Sequence, residues 1–237
     1  MPDPTPPRPT EHEVLAAVLQ IRGGALRVLA WQRAMEPHAG RWALPGGRLG
    51  DDEDVEGSVR RQLAEKVDVR EVSHVEQLSV FSAPHRIPGA RTVATAFLGL
   101  VPSHLDPAVP ADTAWHRLAD LPPTAFDHAE IVAAARERLR AKLSYTNLGF
   151  ALAPPEFTIS ELRALYAAAL GHPVSATNLQ RVLTRRGLLE ATGAIAPPGP
   201  SGGRPAGRFR FTARALRVTD AFAVLRPPGE GARSAVP

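Results

Sequence analysis

The chain has 237 residues, of which 44% are hydrophobic and none is cysteine. This length suffices for one large domain or two modest ones, and the lack of cysteine excludes disulfides, thiolate catalysis and zinc–thiolate sites. No run of 18 uncharged apolar residues occurs, and the first ten residues are polar and proline-rich, unlike a signal peptide. We therefore expect a cytoplasmic protein that does not interact with membranes.

Charge divides the chain into two parts. Residues 1–149 carry 17 Lys and Arg against 19 Asp and Glu, whereas residues 150–237 carry 11 Arg against 5 Asp and Glu. A basic segment attracts polyanions without selecting among them. The imbalance suggests two functions in one chain and is compatible with nucleic-acid binding by the second part.

The first part has the pattern of a mixed strand and helix domain. Residues 13–31 form two apolar runs around Gly23 and Gly24, which is typical of a β-hairpin. In residues 55–67 apolar side chains recur every four residues, as in a helix packed on a sheet. The other predicted elements are strands at 76–83 and 91–101, a short strand near Trp115 and a helix over 128–143.

The second part has the pattern of a helix-turn-helix with a wing. Thr158 is a predicted N-cap whose capping box is completed by Glu161, and Gly171 is the predicted end of that helix. Ser175 begins a second helix that stops at Gly187. Helix, four-residue turn and helix is the spacing of a helix-turn-helix. Strands predicted at 188–195 and 207–212, joined by a basic segment rich in Gly and Pro, complete a winged helix.

Residues 46–69 resemble the Nudix box. That signature is a glycine, five residues, a glutamate, seven residues and then Arg-Glu-apolar-x-Glu-Glu-x-Gly-apolar. Gly47, Glu53 and Arg61 stand at the required spacing. The other diagnostic positions hold Gln62, Glu65, Lys66 and Asp68. Two of the three helix glutamates and the closing glycine are therefore replaced.

The replacements remove most of the charge that a Nudix metal site needs. The resemblance implies that three glutamates on one helix face hold Mg²⁺ or Mn²⁺, which orients a water against a diphosphate. Gln62, Glu65 and Lys66 instead sum to zero charge. We predict no catalytic residue, no metal and a lost pyrophosphatase activity. The alternative is an active Nudix hydrolase of ADP-ribose or a related nucleoside diphosphate, with metal held by Glu53 and Glu65.

Several further segments resemble one family in particular. "WALPGG", "HRIPGARTVATAFLGL", "LPPTAFDHAEIV", "RERLRAKLSY", "FTISELRALYAAALG", "TNLQRVL" and "GGRPAGRFRFT" look like the Nudix-related transcriptional regulators of NAD metabolism, the NrtR family. The resemblance implies an α+β chain with an N-terminal Nudix α/β/α sandwich and a C-terminal winged helix-turn-helix. It also implies a homodimer that represses genes of NAD biosynthesis or salvage at palindromic operator DNA until ADP-ribose binds. The predicted boundaries are a disordered N-terminus at 1–11, the sensor at 12–149, the winged helix at 150–226 and a disordered tail at 227–237.

The resemblance implies that ADP-ribose, or a related NAD-derived nucleotide, brings a diphosphate to this site as an effector, and no cofactor is expected to be required. Without metal, the diphosphate charge has to be met by arginines and backbone N–H groups. The family turn Arg-Asp-Pro-Arg-Gly-Arg is changed here around Ile87, and Asp127 has an alternative role as a helix N-cap. The predicted ligand-binding residues are Arg33, Gly46, Gly47, Arg48, Arg86, Arg91, Asp127 and His128.

The second helix of the predicted helix-turn-helix is the expected recognition helix. Thr177, Asn178 and Arg181 share one helix face, and Asn and Arg side chains can read adenine and guanine in the major groove. Arginines at the helix end, Arg185 and Arg186, suit phosphate or solvent, and those in the wing suit a minor groove or the DNA backbone. The predicted DNA-binding residues are Thr177, Asn178, Arg181, Arg185, Arg204 and Arg208. A third possibility is a DNA-binding protein whose Nudix domain binds nothing and serves only for dimerisation.

Overall fold

The computed structural model describes residues 10–197 and 205–220. The predicted disordered tail, the wing tip with Arg204 and most of the predicted disordered N-terminus lie outside these residues. Strand β1 begins at Glu11, which belongs to the predicted disordered N-terminus. The strands are β1 Glu11–Arg22, β2 Ala25–Gln32, β3 Trp42–Ala43, β4 Gly46–Arg48, β5 His74–Phe81, β6 Thr92–Val101, β7 Thr113–Arg117, β8 Leu189–Ala196 and β9 Ala206–Phe211. The α-helices are α1 Val55–Val67, α2 His128–Tyr145, α3 Ile159–Leu170 and α4 Ala176–Arg185. Short 3-10 helices occupy Leu118–Asp120 and Leu148–Ala151.

Strand β1 is the centre of a seven-stranded sheet. The strand order is β3-β2-β1-β6-β5, with β4 added to β1 and β7 added to β2. Strands β1 and β2 form the predicted antiparallel hairpin, and Gly23 and Gly24 turn the chain with left-handed φ angles of 57° and 72°. Strand β1 also pairs in parallel with β6. The two short strands β3 and β4, which the sequence did not indicate, place the loop after the hairpin against the sheet.

Both faces of the sheet are covered by helices. Val14 and Val18 of β1 join the apolar cluster beneath α1, whereas Leu15 and Leu19 join the larger core beneath α2. Burial on both faces explains why β1 is an unbroken apolar run rather than an alternating one. The predicted α/β/α sandwich is confirmed.

Helix α3 is delimited at both ends as its sequence predicts. The Thr158 side chain accepts a hydrogen bond from the Glu161 N–H, and the Glu161 carboxylate accepts one from the Thr158 N–H. Gly171 ends the helix in the left-handed conformation, with φ at 77°. The capping box and the glycine stop are therefore confirmed.

Helix α4 and the β8–β9 hairpin complete the winged helix. The Ser175 hydroxyl accepts a hydrogen bond from the Asn178 N–H and so caps α4, as predicted. Leu179 and Leu183 are buried, while the other face of α4 is exposed. Strands β8 and β9 pair antiparallel and form the wing.

One apolar core extends across both parts of the chain. It includes Leu98 and Leu139 of the sandwich together with Leu162 and Leu183 of the winged helix. The 3-10 helix Leu148–Ala151 is buried in this core and spans the predicted boundary between residues 149 and 150. Within the residues that the structure describes, no helix is long and apolar enough to cross a membrane.

Candidate functional site

Strand β4 holds a glycine segment, residues 46–48, against helix α1. Gly46 has φ at 155°, and a Cβ atom there would lie 2.2 Å from the Val14 carbonyl oxygen. Only glycine fits so close to a neighbouring strand. Helix α1 begins beside this segment because the Asp54 side chain accepts a hydrogen bond from the Gly57 N–H at 2.6 Å.

Gln62 and Lys66 hold the glycine segment from the helix side. The Lys66 Nζ donates to the Gly46 carbonyl oxygen at 2.6 Å, and the Gln62 Nε2 donates to the Arg48 carbonyl oxygen at 3.4 Å. A Cβ atom on Gly47 would lie within 3 Å of both side chains. Partial burial, together with the charge of Arg61, lowers the pKa of Lys66. The Gly46 carbonyl therefore faces an ammonium, and the Arg48 carbonyl faces an amide.

Arg61 binds the two acids that remain in the Nudix box. Its Nε and Nη2 donate to Glu53 at 2.9 and 2.6 Å, and its Nη1 donates to Glu65 at 3.0 Å. The hydrogen bond from Arg61, followed by one from the Gly50 N–H, lowers the pKa of Glu53 to about 2. Glu65 thus turns toward Arg61 and does not join the side chains beneath the glycine segment.

These side chains do not fit a divalent metal site. Mg²⁺ needs carboxylate oxygens, but Glu53 and Glu65 share one guanidinium, and Lys66 adds a further positive charge beside the Gly46 carbonyl. No cluster of three His, Asp or Glu side chains suited to a metal occurs among residues 10–197 and 205–220. Both oxygens of Glu53 accept hydrogen bonds, and one oxygen of Glu65 is bound to Arg61.

Arg86 lies in a buried ion-pair network between β1 and α2. Its side chain is 1% exposed, its Nε and Nη2 donate to Asp127 at 2.8 and 2.7 Å, and its Nη1 donates to Glu13. Burial lowers the pKa of Arg86, but the two carboxylates more than offset this, so that the pKa is raised. The expectation that Arg86 meets a diphosphate is corrected, because its guanidinium is committed to two carboxylates.

Asp127 occupies the N-cap position of α2, but its side chain makes no capping hydrogen bond. Both carboxylate oxygens accept hydrogen bonds from Arg86 instead. The alternative role as a side-chain cap is therefore wrong. The same pairing leaves the carboxylate unavailable as a direct ligand contact.

His128 is buried behind the glycine segment. The residue is 4% exposed, and its Nδ1 accepts a hydrogen bond from the Leu44 N–H at 2.9 Å. Burial lowers the pKa of His128 to about 4, so the ring is neutral at neutral pH. His128 thus fixes the chain just before the glycine segment, and the expectation of direct ligand contact is corrected to a positioning role.

The other predicted ligand-binding arginines keep accessible side chains. Arg48 pairs with Glu11 at 3.3 Å, and the Arg91 Nη1 donates to the Ala83 carbonyl oxygen at 3.0 Å. Arg33 lies with its guanidinium carbon 4.8 Å from the centre of the Phe126 ring. The structure does not join these three arginines to one another by any contact among the described residues.

Phe126 and His38 are part of this region and were not predicted. The Phe126 N–H donates to the His38 Nδ1 at 3.0 Å, and the two ring centres are 4.9 Å apart. Both residues have positive φ angles, 51° and 70°. Left-handed backbone at non-glycine residues follows from tertiary contacts and leaves no pattern in the sequence.

The predicted base-reading residues lie together on the exposed face of α4. Thr177, Asn178 and Arg181 are all exposed, and the Arg181 Nη2 donates to the Asn178 side-chain oxygen at 2.7 Å. Arg185 is exposed at the end of the helix, and Arg208 is half-buried on β9.

Arg186 is not directed to phosphate or solvent, and that prediction is wrong. Its Nη2 donates to Asp220 and its Nη1 to the Ser144 carbonyl oxygen, both at 2.8 Å. Since Ser144 lies in α2, Arg186 fastens the end of α4 to the end of α2.

Two family profiles match the chain in the order of its two parts. The NUDIX domain matches residues 11–135, and the NrtR DNA-binding winged helix domain matches residues 149–211. The chain belongs to the NrtR family. A structure of Shewanella oneidensis NrtR complexed with a 27mer DNA is 33% identical, covers 84% of this chain and 93% of its own, and superposes with a TM-score of 0.74.

Two further comparisons concern ADP-ribose. The ADPR responsive transcriptional repressor NtrR of Acinetobacter baylyi is 29% identical over 202 residues, or 82% of this chain and 79% of its own length. The NUDIX domain of S. oneidensis NrtR complexed with ADP ribose is 34% identical, covers 58% of this chain and 93% of its own, and has a TM-score of 0.51. In this NrtR-family chain the Nudix match includes the glycine segment and α1, and the winged-helix match includes all of α4.

Proposed function

We propose that this NrtR-family protein is a transcriptional repressor that leaves its operator when it binds ADP-ribose. It acts in the cytoplasm as a homodimer on a palindromic operator, controls genes of NAD biosynthesis or salvage, and requires no cofactor. The name of the A. baylyi relative and the S. oneidensis structures with DNA and with ADP ribose support this proposal.

The contact between Lys66 and the glycine segment carries the sensing half of the proposal. An ammonium bound to the Gly46 carbonyl at 2.6 Å stands where a hydrolase would need a divalent cation to orient water. A fixed monovalent charge can attract a diphosphate but supplies no metal-bound hydroxide. The protein therefore holds the effector without cleaving it.

The accessible groups around the glycine segment are the proposed effector contacts. Arg33, Arg48 and Arg91 supply the positive charge that meets the diphosphate. The buried residues behind them, Arg86, Asp127 and His128, position β1, α2 and the glycine segment and do not touch the effector.

Helix α2 gives the effector site a mechanical connection to the DNA-binding face. Asp127, at its first turn, is bound to Arg86 near the sensor site, and Ser144, at its last turn, is bound to Arg186 of the winged helix. A shift of α2 caused by the effector would reach α4 through the Arg186 contact. Coupling of this kind changes affinity by about 5- to 150-fold in regulatory proteins.

The proposal is tested by measuring operator binding and nucleotide products in the same sample. The full chain is titrated against DNA from upstream of NAD biosynthesis and salvage genes, with and without ADP-ribose, and the nucleotides are then separated by chromatography. We expect nanomolar-range affinity that weakens with salt, a loss of at least about fivefold with ADP-ribose, and intact ADP-ribose at the end. No operator shift at moderate salt would refute the repressor function, and no effect of ADP-ribose would leave a DNA-binding protein with a structural Nudix domain.

A Nudix hydrolase is the second candidate function, because Glu53 and Glu65 are retained. This function predicts turnover of ADP-ribose or a related nucleoside diphosphate with Mg²⁺ or Mn²⁺, and Glu65→Gln should abolish it. We expect no turnover by the natural chain. A matched double variant, Gln62→Glu with Lys66→Glu, rebuilds the acidic face and shows whether these two residues block hydrolysis.

A further inference from the structure

A second cleft lies between the sandwich and the winged helix and shares no residue with the glycine segment or α1. It has a volume of about 310 Å³. Its walls include Gly24, Arg117, Leu118, Arg136, Arg140 and Gly171. We propose that this arginine cleft binds a small phosphate-bearing anion at a site separate from that of the effector.

Two guanidinium groups in the arginine cleft lie close together. A Cβ atom built on Gly171 would lie 2.5 Å from the Arg140 Nη2 and 3.6 Å from the Arg136 Nη2, so these two nitrogens are at most about 6 Å apart. Two positive charges at that distance repel each other, and an anion between them would remove the repulsion.

The donors of this pair are only partly used. Arg136 is exposed and has no hydrogen-bond or ion-pair partner among the residues that the structure describes. Arg140 donates from Nη1 to Glu137 at 3.1 Å, but its Nε is buried without an acceptor in the same part of the chain. A buried donor without a partner carries a desolvation cost that a phosphate oxygen would relieve.

The nearby carboxylates do not cancel the charge of the arginine cleft. Asp120 pairs with Arg117 at 3.6 Å and Glu137 pairs with Arg140, but the two carboxylate side chains are 69% and 67% exposed. Exposed pairs of this kind are weak and yield to a stronger partner. Neither Asp120 nor Glu137 lines the cleft, so its charged lining consists of three arginines.

The shape of the arginine cleft favours a small molecule over the DNA backbone as the source of the phosphate. The β1–β2 turn at Gly24 and the segment around Leu118 form walls from the sandwich, and the end of α3 forms the opposite wall. Alanine and leucine side chains complete the lining, which suits a phosphomonoester or diphosphate with a small organic group. An anion bound there contacts both parts of the chain and stabilises their contact.

Inorganic pyrophosphate is the probe for this proposal. Calorimetry of the full chain at constant ionic strength, with sodium chloride as the matched salt, measures binding to the natural chain and to the double variant Arg136→Gln with Arg140→Gln. Because hydrogen bonds to charged groups contribute strongly to the binding free energy, we expect the double variant to bind pyrophosphate at least about tenfold more weakly than the natural chain. Arg163→Gln, an exposed arginine of α3 outside the cleft, is the matched control and should stay within about twofold.

Hydrogen–deuterium exchange locates the bound anion. We expect pyrophosphate to protect residues 24–26 and 167–171, whereas protection confined to residues 46–48 would overturn the proposal by assigning the anion to the effector site. Undiminished binding by the double variant would also overturn it. Arg136→Gln alone carries the same test if the double variant fails to fold, because Arg136 loses no contact within the described chain.

A second titration, of operator DNA at several salt concentrations, tests whether the DNA backbone is the source of the phosphate. If the two arginines contact DNA, the double variant lowers the salt dependence of operator binding while pyrophosphate binding stays at the natural level, and the proposal fails. If the arginine cleft takes a small anion, pyrophosphate binding falls and the salt dependence is retained. This result does not depend on any response to ADP-ribose, so it stands apart from the proposed function.

Discussion

Acid should destabilise this protein through His128, and the structure gives the size of the effect. The pKa of the buried ring is about 4, against about 6.5 in an unfolded chain. Between these values the unfolded chain binds a proton that the folded chain does not bind. Stability from the neutral ring is therefore fully present above about pH 6.5 and is lost as the pH falls toward 4.

The perturbation that isolates this effect is His128→Asn. The asparagine side-chain oxygen is attached to Cγ, as is the His128 Nδ1, so it can accept the hydrogen bond from the Leu44 N–H. Asparagine does not titrate. The smaller side chain should cost roughly 1 to 3 kcal/mol at pH 7.5. The two pKa values imply that the natural chain loses about 2 kcal/mol between pH 7.5 and pH 5 through this residue.

Urea unfolding followed by tryptophan fluorescence at pH 7.5, 6 and 5 measures the difference in unfolding free energy between the natural chain and His128→Asn. The difference should shrink by about 2 kcal/mol at pH 5, because only the natural chain has the titrating ring. His116, whose pKa burial also lowers, is present in both proteins and cancels. A difference that stays constant with pH would refute the assignment of His128 as a buried neutral acceptor.

Three further predictions concern the buried ion pairs of Arg86, the predicted recognition helix α4 and the neighbouring helix α3. Asp127→Asn leaves the buried Arg86 with one carboxylate and should lower the unfolding free energy by about 3 kcal/mol in urea titrations; a change below about 1 kcal/mol would contradict the buried network. Arg181→Gln should weaken operator binding by about 1 to 3 kcal/mol in anisotropy titrations and nonspecific DNA binding by much less, and equal losses on both DNAs would argue against base contact. Thr158→Ala removes one half of the capping box and should lower stability by about 1 kcal/mol in thermal melts, unless the helix end is held by packing alone.

Local signals in the sequence were sufficient to predict the helices and the long strands. The four-residue apolar repeat gave helix α1 with its observed bounds, since one face of that helix is buried on the sheet. The capping box of Thr158 and Glu161 likewise depends only on residues three positions apart. Such features are determined by contacts within one or two turns, so they can be read without tertiary structure.

The candidate site was less predictable because its side chains meet across long distances in the chain. Arg86 lies 41 residues from Asp127 and 73 from Glu13, and no local pattern links the three. From sequence, an arginine and an aspartate in loops resemble ligand contacts, whereas in the structure they neutralise each other in the core. The pair between Arg61 and Glu65 is different, because the two residues are four positions apart on α1 and helix spacing allows this contact, although the Nudix pattern assigned Glu65 to a metal face instead.

The single core that joins the sandwich to the winged helix has a consequence for how the protein can be divided. Leu139 and Leu162 belong to the same apolar cluster, so a fragment cut between the two parts would expose apolar surface on both new ends. Unfolding of the intact chain should accordingly be one cooperative transition, in which a change beneath the sheet alters the stability of the DNA-binding helices. The two parts of the chain are thus packed through one apolar core, so a substitution in either part can change the stability of the other.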